Sequence, residues 1–207
     1  APRGLLVPVD ALVGDVEVAM DSARLSAQLV IVDDGSPQAV DPGDMSAAIS
    51  FPVQVIQLRR NVGHQRAIAI GLSHVVATEL APIIVIMDSD GEDEASDVSK
   101  LICALTSAEP AAIVVAKRAS RSEGILFSIC YRAYRTLFHF LTGYPFQFGN
   151  FSAMPLESAR RLTAMPELWI NLPAAVLRSK LAIRPVETDR GRRYFGKSKM
   201  RLVSLVL

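Results

Sequence analysis

The sequence predicts an α/β fold, a mostly parallel sheet flanked by helices, and three observations carry that expectation. Short runs rich in Val and Ile recur along the first half of the chain. Each run is apolar on both faces, as a strand covered on both sides must be. Segments with helical periodicity separate the runs, and strand–helix alternation at this pace builds parallel sheets.

The elements follow in order. "GLLVPV" (4–9) reads as a first strand and "GDVEVAMDSARL" (14–25) as a helix. "AQLVIVDD" (27–34) and "VQVIQL" (53–58) are the next strands, and "GHQRAIAIGLSHVVATEL" (63–80) is the helix after them. "PIIVIMD" (82–88), a helix over "EASDVSKLICALTSA" (94–108) and the strand "AAIVVAK" (111–117) complete the alternation. The second half changes character. Residues 122–143 read as a long amphipathic helix stopped by Gly143 and Pro145. "FQFGNFSAMP" predicts a short strand or turn, helices are expected near 155–164 and 167–179, and "LAIRPVE" (181–187) adds one more strand. The final "MRLVSLVL" reads equally as a helix cut short or as an amphipathic helix lying on a membrane.

Composition narrows the class. The chain has 207 residues, 50% of them hydrophobic and 21% charged, an ordinary globular mix within reach of one sizeable core. A net charge of +1 argues against a general nucleic-acid binder. Cys103 and Cys130 lie in apolar, helical-looking stretches without metal-ligand spacing, so they read as reduced core thiols of a cytoplasmic protein. No signal peptide is apparent, and no stretch reaches the roughly 18 apolar residues of a membrane helix. The charge is unevenly spread. Six carboxylates fall between Asp88 and Asp97, while residues 178–201 hold nine Lys or Arg against two acids. With Gly191, Gly196, Tyr194 and Phe195 interleaved, the basic stretch reads as an anion-seeking loop or as a solvated face.

In open parallel sheets ligands bind at the carboxyl ends of the strands. Two strands here end in paired acids, Asp33-Asp34 and Asp88-Ser89-Asp90, and the first expected strand leads to Asp10. A single such acid is as well explained as a helix N-cap, but two paired endings on parallel strands converge. Asp88 and Asp90 offer hard oxygens suited to Mg²⁺ or Mn²⁺ shared with substrate phosphates. Asp33 and Asp34 can accept hydrogen bonds from a base N–H or from ribose hydroxyls. A response-regulator receiver also combines paired acids with a Lys such as Lys117. The long step from Asp34 to Asp88 and the short one to Lys117 do not suit it, and the last ninety or so residues would go unexplained.

In this order, "VIVDDGSPQ", "LRRNVGHQRAIAIGL", "IMDSDGEDE" and "RRYFGKSKM" resemble family 2 glycosyltransferases. The likeness is greatest to the branch of dolichyl-phosphate mannose synthase and bacterial polyprenyl-phosphate sugar transferases. It covers nearly the whole chain and implies a GT-A fold in one structural domain. Residues 1–120 would be its nucleotide-sugar-binding half and 121–207 its acceptor side. The resemblance implies that Pro8, Asp33 and Asp34 line a uridine or guanosine pocket and that Asn61, Gly63 and Gln65 lie beside the nucleotide. Asp90 would be the main metal ligand, with Asp88 a second ligand nearer the ribose and sugar, Ser89 among the nucleotide-binding residues and Asp93 following at the family's spacing. Arg193, Gly196, Ser198 and Lys199 match a late loop that closes over phosphate, and Arg118 and Arg121 are further candidates for phosphate contact.

Two departures stand out. The family's opening "P-x-Y-N-E" is here Pro8-Val9-Asp10-Ala11-Leu12, and Gln147 and Asn150 stand where relatives of the polyprenyl branch carry acids. Neither can serve as a carboxylate base, so the base is unassigned, with Glu123 placed near the site only by sequence position. The processive-synthase motif is also missing, Trp169 being the single tryptophan. His64, His74 and His139 lack partners at ligand spacing, and only His64 falls near the nucleotide loop.

The resemblance thus implies an inverting, metal-dependent transfer from a UDP- or GDP-linked sugar. The acceptor would be a lipid phosphate or glycan at the inner face of a membrane, with Arg193 and Lys199 adding positive charge around the leaving diphosphate. A sugar nucleotidyltransferase and a non-catalytic relative of the same fold are the alternatives. The first normally needs a basic Gly-rich first loop, which "PVDALVGD" lacks; the second is favoured by the altered "PVDALV" and "FQFGNF" segments.

Overall fold

The computed structural model describes residues 6–22, 26–36, 50–108, 110–118, 148–188 and 191. Six strands are found there: β1 (Leu29–Asp33), β2 (Val53–Gln57), β3 (Ile83–Ile86), β4 (Ile113–Arg118), β5 (Ser152–Pro155) and β6 (Ile183–Thr188). The helices are α1 (Leu6–Ser22), α2 (His64–Thr78), α3 (Ser96–Thr106), α4 (Leu156–Thr163) and α5 (Leu172–Arg178), with a 3₁₀ turn at Pro166–Trp169.

The strands form two groups. β1 and β2 pair in parallel, from Leu29 opposite Val53 to Asp33 opposite Gln57. The other four run in the order β3-β5-β4-β6. There β4 and β6 are parallel, and β5 enters antiparallel to both its neighbours. β3, β4 and β6 therefore share one direction, and the expected parallel character holds apart from the β5 insertion.

Period-two alternation along β4 sorts the core into two layers. Ile113 and Val115 pack with Leu72, Met154, Leu162, Leu168 and Leu172 beneath α2, α4 and α5. Val114 and Ala116 face the other way, with Val16, Met20, Val98, Leu101 and Leu105 of α1 and α3. Each fully buried Leu or Ile stabilises the fold by about 1.5–3 kcal/mol relative to an exposed position. Strands apolar on both faces are thus accounted for by a helical layer on each side.

Three expectations need correction. The chain is helical from Leu6, so residues 6–9 are not a strand and neither Pro8 nor Asp10 stands at a strand end. Pro8 is tolerated because it lies in the first turn, where backbone N–H groups have no helical partner. A short apolar run does not distinguish strand from helix by periodicity. Next, the single helix expected over 167–179 is broken. Pro173 cannot sit inside a continuing helix, and Asn171 caps the new one, its side chain accepting from the Ala174 N–H at 2.9 Å. Finally, Cys103 is exposed. α3 buries Val98, Leu101 and Leu105, and Cys103 falls on the opposite face.

Candidate functional site

Two loops lock together at the carboxyl end of β1. Gly35 has φ 72, and a Cβ there would stand 2.7 Å from the backbone of Arg60 and Asn61, so only glycine fits. Beside it, the Asp34 carboxylate accepts the N–H of Val62 at 2.7 Å and of Gly63 at 3.0 Å. Gly63, at φ 94, begins α2 without a side-chain cap of its own, so Asp34 supplies the negative charge that a helix N-terminus favours. Asp34 is therefore committed to the backbone. Asp33 is different: Oδ1 accepts the Ser36 N–H at 2.9 Å, while Oδ2 is buried without a hydrogen bond. Asn61 lies exposed on the rim of this loop pair.

At the end of β3 the acidic run divides its labour. Asp93, 2% exposed, turns inward, and its Oδ2 accepts the Asp88 N–H at 3.0 Å. Asp90 Oδ1 accepts the Glu92 N–H at 3.0 Å, closing a tight turn in which Gly91 has φ 83. Asp97, fully buried in the first turn of α3, pairs with Lys100 at 2.5 Å. Several carboxylates of the run thus shape the fold. Asp88 and Asp90 remain half-buried at the mouth, with Ser89 exposed between them. Asp88 Oδ1 is buried and meets no donor of good hydrogen-bond geometry, although His64 Nε2 lies 3.3 Å away.

His64 belongs to a chain of contacts that sequence spacing did not reveal. The Leu172 N–H donates to Gln65 Oε1 at 2.9 Å, which fixes the orientation of the Gln65 amide. Gln65 Nε2 then donates to Asn150 Oδ1 at 3.1 Å, leaving Asn150 Nδ2 2.8 Å from His64 Nε2. Gln65 is thus a strut between α2, the Asn150 loop and α5. One ring nitrogen faces two partners: neutral, Nε2 accepts from Asn150; protonated, it donates to Asp88. The close contact with the Asp88 carboxylate raises the His64 pKa above its ordinary 6.5, burial opposes this, and the Asp88, Asp90 and Asp34 charges assist it.

The sign of the resulting pH dependence follows. A raised folded-state pKa gives stability that is complete below the ordinary value and is lost as pH rises through the raised one. His64→Gln should therefore destabilise the protein more near about pH 5.5 than near about pH 8.5, by up to about 1 kcal/mol for so exposed a pair. Urea midpoints at the two pH values check this, and equal losses would contradict it.

The fit of a divalent cation rests on Asp88 and Asp90. Among the described residues no three His, Cys, Asp or Glu side chains converge as a ready metal cage. Two carboxylates with a buried oxygen that lacks a hydrogen bond suit the other mode, in which the ion arrives shared with substrate phosphates. Gly191 marks where the basic stretch meets the site, its N–H donating to Glu92 O at 3.1 Å. Arg193, Gly196, Ser198 and Lys199 follow it and, like Arg121, Glu123, His139, Gln147 and the helix expected over 122–143, lie outside the described residues. Arg118 is placed by its backbone at the end of β4, and Pro8 by its backbone in α1. His74, on the next turns of α2, faces Gln54 Oε1 at 3.1 Å, away from this cluster. No helix of the described residues is long and apolar enough to cross a membrane.

Comparison with known proteins places this geometry. A Mycobacterium tuberculosis (strain CDC 1551 / Oshkosh) protein, provisionally described as a glycosyltransferase, is 38% identical over 77 residues. That stretch is 37% of this chain and spans 21% of the relative's length. Among solved structures, a mycobacterial protein superposes with a TM-score of 0.60 at 20% identity, over 95% of this chain and 66% of that one. Mannosyl-3-phosphoglycerate synthase from Rubrobacter xylanophilus gives 0.57 at 14% identity, over 96% and 64%. A CMP:2-keto-3-deoxy-manno-octonic acid synthetase complexed with CTP gives 0.54 at 14% identity, over 88% and 81%. These likenesses show the fold, the GT-A and nucleotidyltransferase α/β architecture. The sequence model described as "Glycosyl transferase family 2" matches residues 17–169, and the chain belongs to that family.

Proposed function

We propose that this chain transfers a sugar from a UDP- or GDP-linked donor to an acceptor, at the carboxyl ends of β1 and β3. One observation carries the reading: at the ends of β1 and β3, Asp33 Oδ2 is a buried carboxylate oxygen without a hydrogen bond, and buried Asp88 Oδ1 has only the His64 ring nitrogen at 3.3 Å. An unpaired buried acceptor is costly, and a ligand N–H, hydroxyl or cation relieves that cost. Asp33 accepts from the base or ribose. Asp34 and Gly35 hold the wall of the pocket, and Asn61 with Gly63 forms its rim. Asp88 and Asp90 would hold Mg²⁺ or Mn²⁺ brought in with the donor. Bound there, the ion would offset the charge that collects on the leaving diphosphate.

The acceptor oxygen attacks the anomeric carbon, the bond to the diphosphate breaks, and its electron pair leaves on the diphosphate oxygen. Configuration inverts in such a displacement. Arg193 and Lys199, after the Gly191 contact with the acidic loop, add positive charge as the late loop closes, with Gly196 and Ser198 in the same loop and Arg118 and Arg121 as further phosphate contacts. Asn150 brings no carboxylate to abstract a proton, and a phosphate acceptor, already ionised near neutral pH, needs none. This favours a polyprenyl phosphate at the inner face of a membrane over a glycan hydroxyl.

Calorimetric titration with UDP and GDP, each with and without Mn²⁺, tests the reading. Metal-dependent binding of one nucleotide is expected. Binding of neither would sink the donor assignment and favour a relative that kept the fold without the chemistry. Metal-dependent turnover of a nucleoside triphosphate with a sugar phosphate would instead favour nucleotidyl transfer.

A further inference from the structure

The acidic turn after β3 is anchored at its start, its end and its middle. At the start, Asp93 Oδ2 accepts the Asp88 N–H at 3.0 Å. At the end, the Glu94 carbonyl accepts the Asp97 N–H at 3.0 Å as α3 opens. The middle is met by Gly191, whose N–H donates to the Glu92 carbonyl at 3.1 Å. Two main chains touch there. A Cβ added to Gly191 would collide with the Gly91 carbonyl oxygen and stand 3.0 Å from Glu94 Cγ. The Glu94 side chain can swing aside, but the carbonyl of a turn residue fixed at φ 83 cannot. Gly191 is itself delivered by the sheet. β6 stays in register with β4 as far as Thr188 opposite Arg118, and Gly191 follows three residues later.

We propose that Gly191 is a positioning residue for the cation end of the site, an inference that rests on the reading of Asp90 as a metal ligand. Glu92 is the link. Its carbonyl accepts from Gly191, and its N–H donates to Asp90 Oδ1 at 3.0 Å. A carboxylate that gives one oxygen to a fixed backbone N–H has its plane set by that bond. Partners that orient a metal ligand in this way matter nearly as much as the ligand itself. The turn has little slack to absorb a displacement, since Glu92 is 8% and Asp93 2% exposed. A side chain at 191 would therefore push Gly91 and Glu92 away from β6 and carry the Glu92 N–H off Asp90. The contact requires glycine for close approach, and it ties the end of β6 to the geometry of a carboxylate about a hundred residues earlier in the chain.

Titration of Mn²⁺ against affinity for whichever of UDP and GDP binds, in the unaltered chain and in Gly191→Ala, tests this. Amide hydrogen exchange adds a readout that needs no metal. The Mn²⁺ concentration giving half of its effect on nucleotide affinity should rise about 10–100-fold in the variant. Affinity for the nucleotide without metal, which Asp33 serves, should not change. The Glu92 amide should exchange faster in metal-free Gly191→Ala, because its bond to Asp90 is disturbed. In the unaltered chain the Gly191 amide should be protected, a reading that holds even if the variant folds poorly. An unchanged Glu92 exchange rate or a freely exchanging Gly191 amide would overturn the proposal. So would a parallel loss of metal-free and metal-dependent affinity, which would leave Gly191 a purely structural residue. If Mn²⁺ has no effect on the unaltered chain, the reading of Asp90 fails and the inference falls with it. If Mn²⁺ acts there and the variant has the same Mn²⁺ requirement, Asp90 stands and the role of Gly191 alone falls.

Discussion

Asp90→Asn should abolish the gain in nucleotide affinity that Mn²⁺ brings and lower sugar transfer by roughly 10²–10³-fold, the usual scale for losing charge stabilisation of a leaving group. The amide is the informative replacement. Asp90 Oδ1 accepts the Glu92 N–H at 3.0 Å, and an asparagine oxygen can keep that bond while removing the charge. The turn at Gly91 should survive and thermal unfolding should hardly change, so loss of activity reports the charge itself. Unaltered metal-dependent binding in this variant would show that the ion, if used, is held elsewhere. Assays of binding by calorimetry and of transfer by product formation, beside a thermal melt, decide the matter.

Gly35→Ala should have the largest effect on the fold around the site. Two penalties combine there: a side chain at φ 72, and a Cβ 2.7 Å from backbone atoms of Arg60 and Asn61, which cannot rotate away. Each costs on the order of 1–3 kcal/mol, so about 2–6 kcal/mol is expected in urea unfolding. The damage would spread from there, because the same loop carries Asp34, whose carboxylate holds Val62 and Gly63 at the start of α2. Nucleotide affinity should fall along with stability. Gly63, by comparison, has open space around its Cβ position, so Gly63→Ala meets only the backbone strain of φ 94 and should cost less. Equal costs at the two glycines would mean that the loops do not interlock as described.

Much of this architecture was legible because its causes are local. Strands apolar on both faces announced their two helical layers, and the break before α5 could have been read from Asn171-Leu172-Pro173, a cap followed by a proline in the first turn. The first expected strand was not secure, since "GLLVPV" has neither the length nor the periodicity to choose between helix and strand. Cys103 was misplaced for a related reason. Apolar surroundings in sequence do not say which side of a helix a residue takes, and Val98, Leu101 and Leu105 define the buried side of α3.

The site was legible in position more than in role. Paired acids at two strand ends pointed to a candidate site, and the structure does bring Asp33, Asp34, Asp88 and Asp90 together about the start of α2. Which carboxylate is free to meet a ligand depends on partners far along the chain. Asp34 holds amides 28 and 29 residues away, and Gln65, expected beside a nucleotide, has its amide fixed by groups 85 and 107 residues away. No spacing rule foretells such contacts. His64 could have been weighted more heavily from one signal, its place immediately after the glycine that opens a helix facing an acidic strand end.

The measurement that bears most directly on the central claim is a crystal structure of the protein with Mn²⁺ and whichever of UDP or GDP binds. The account predicts the base or ribose within hydrogen-bond reach of Asp33 Oδ2, and Mn²⁺ between Asp88 or Asp90 and the diphosphate. Nucleotide bound elsewhere, for example in the groove between α1 and α3 lined by Asp15, Glu94 and Ser99, with Asp33 and Asp88 untouched, would contradict it.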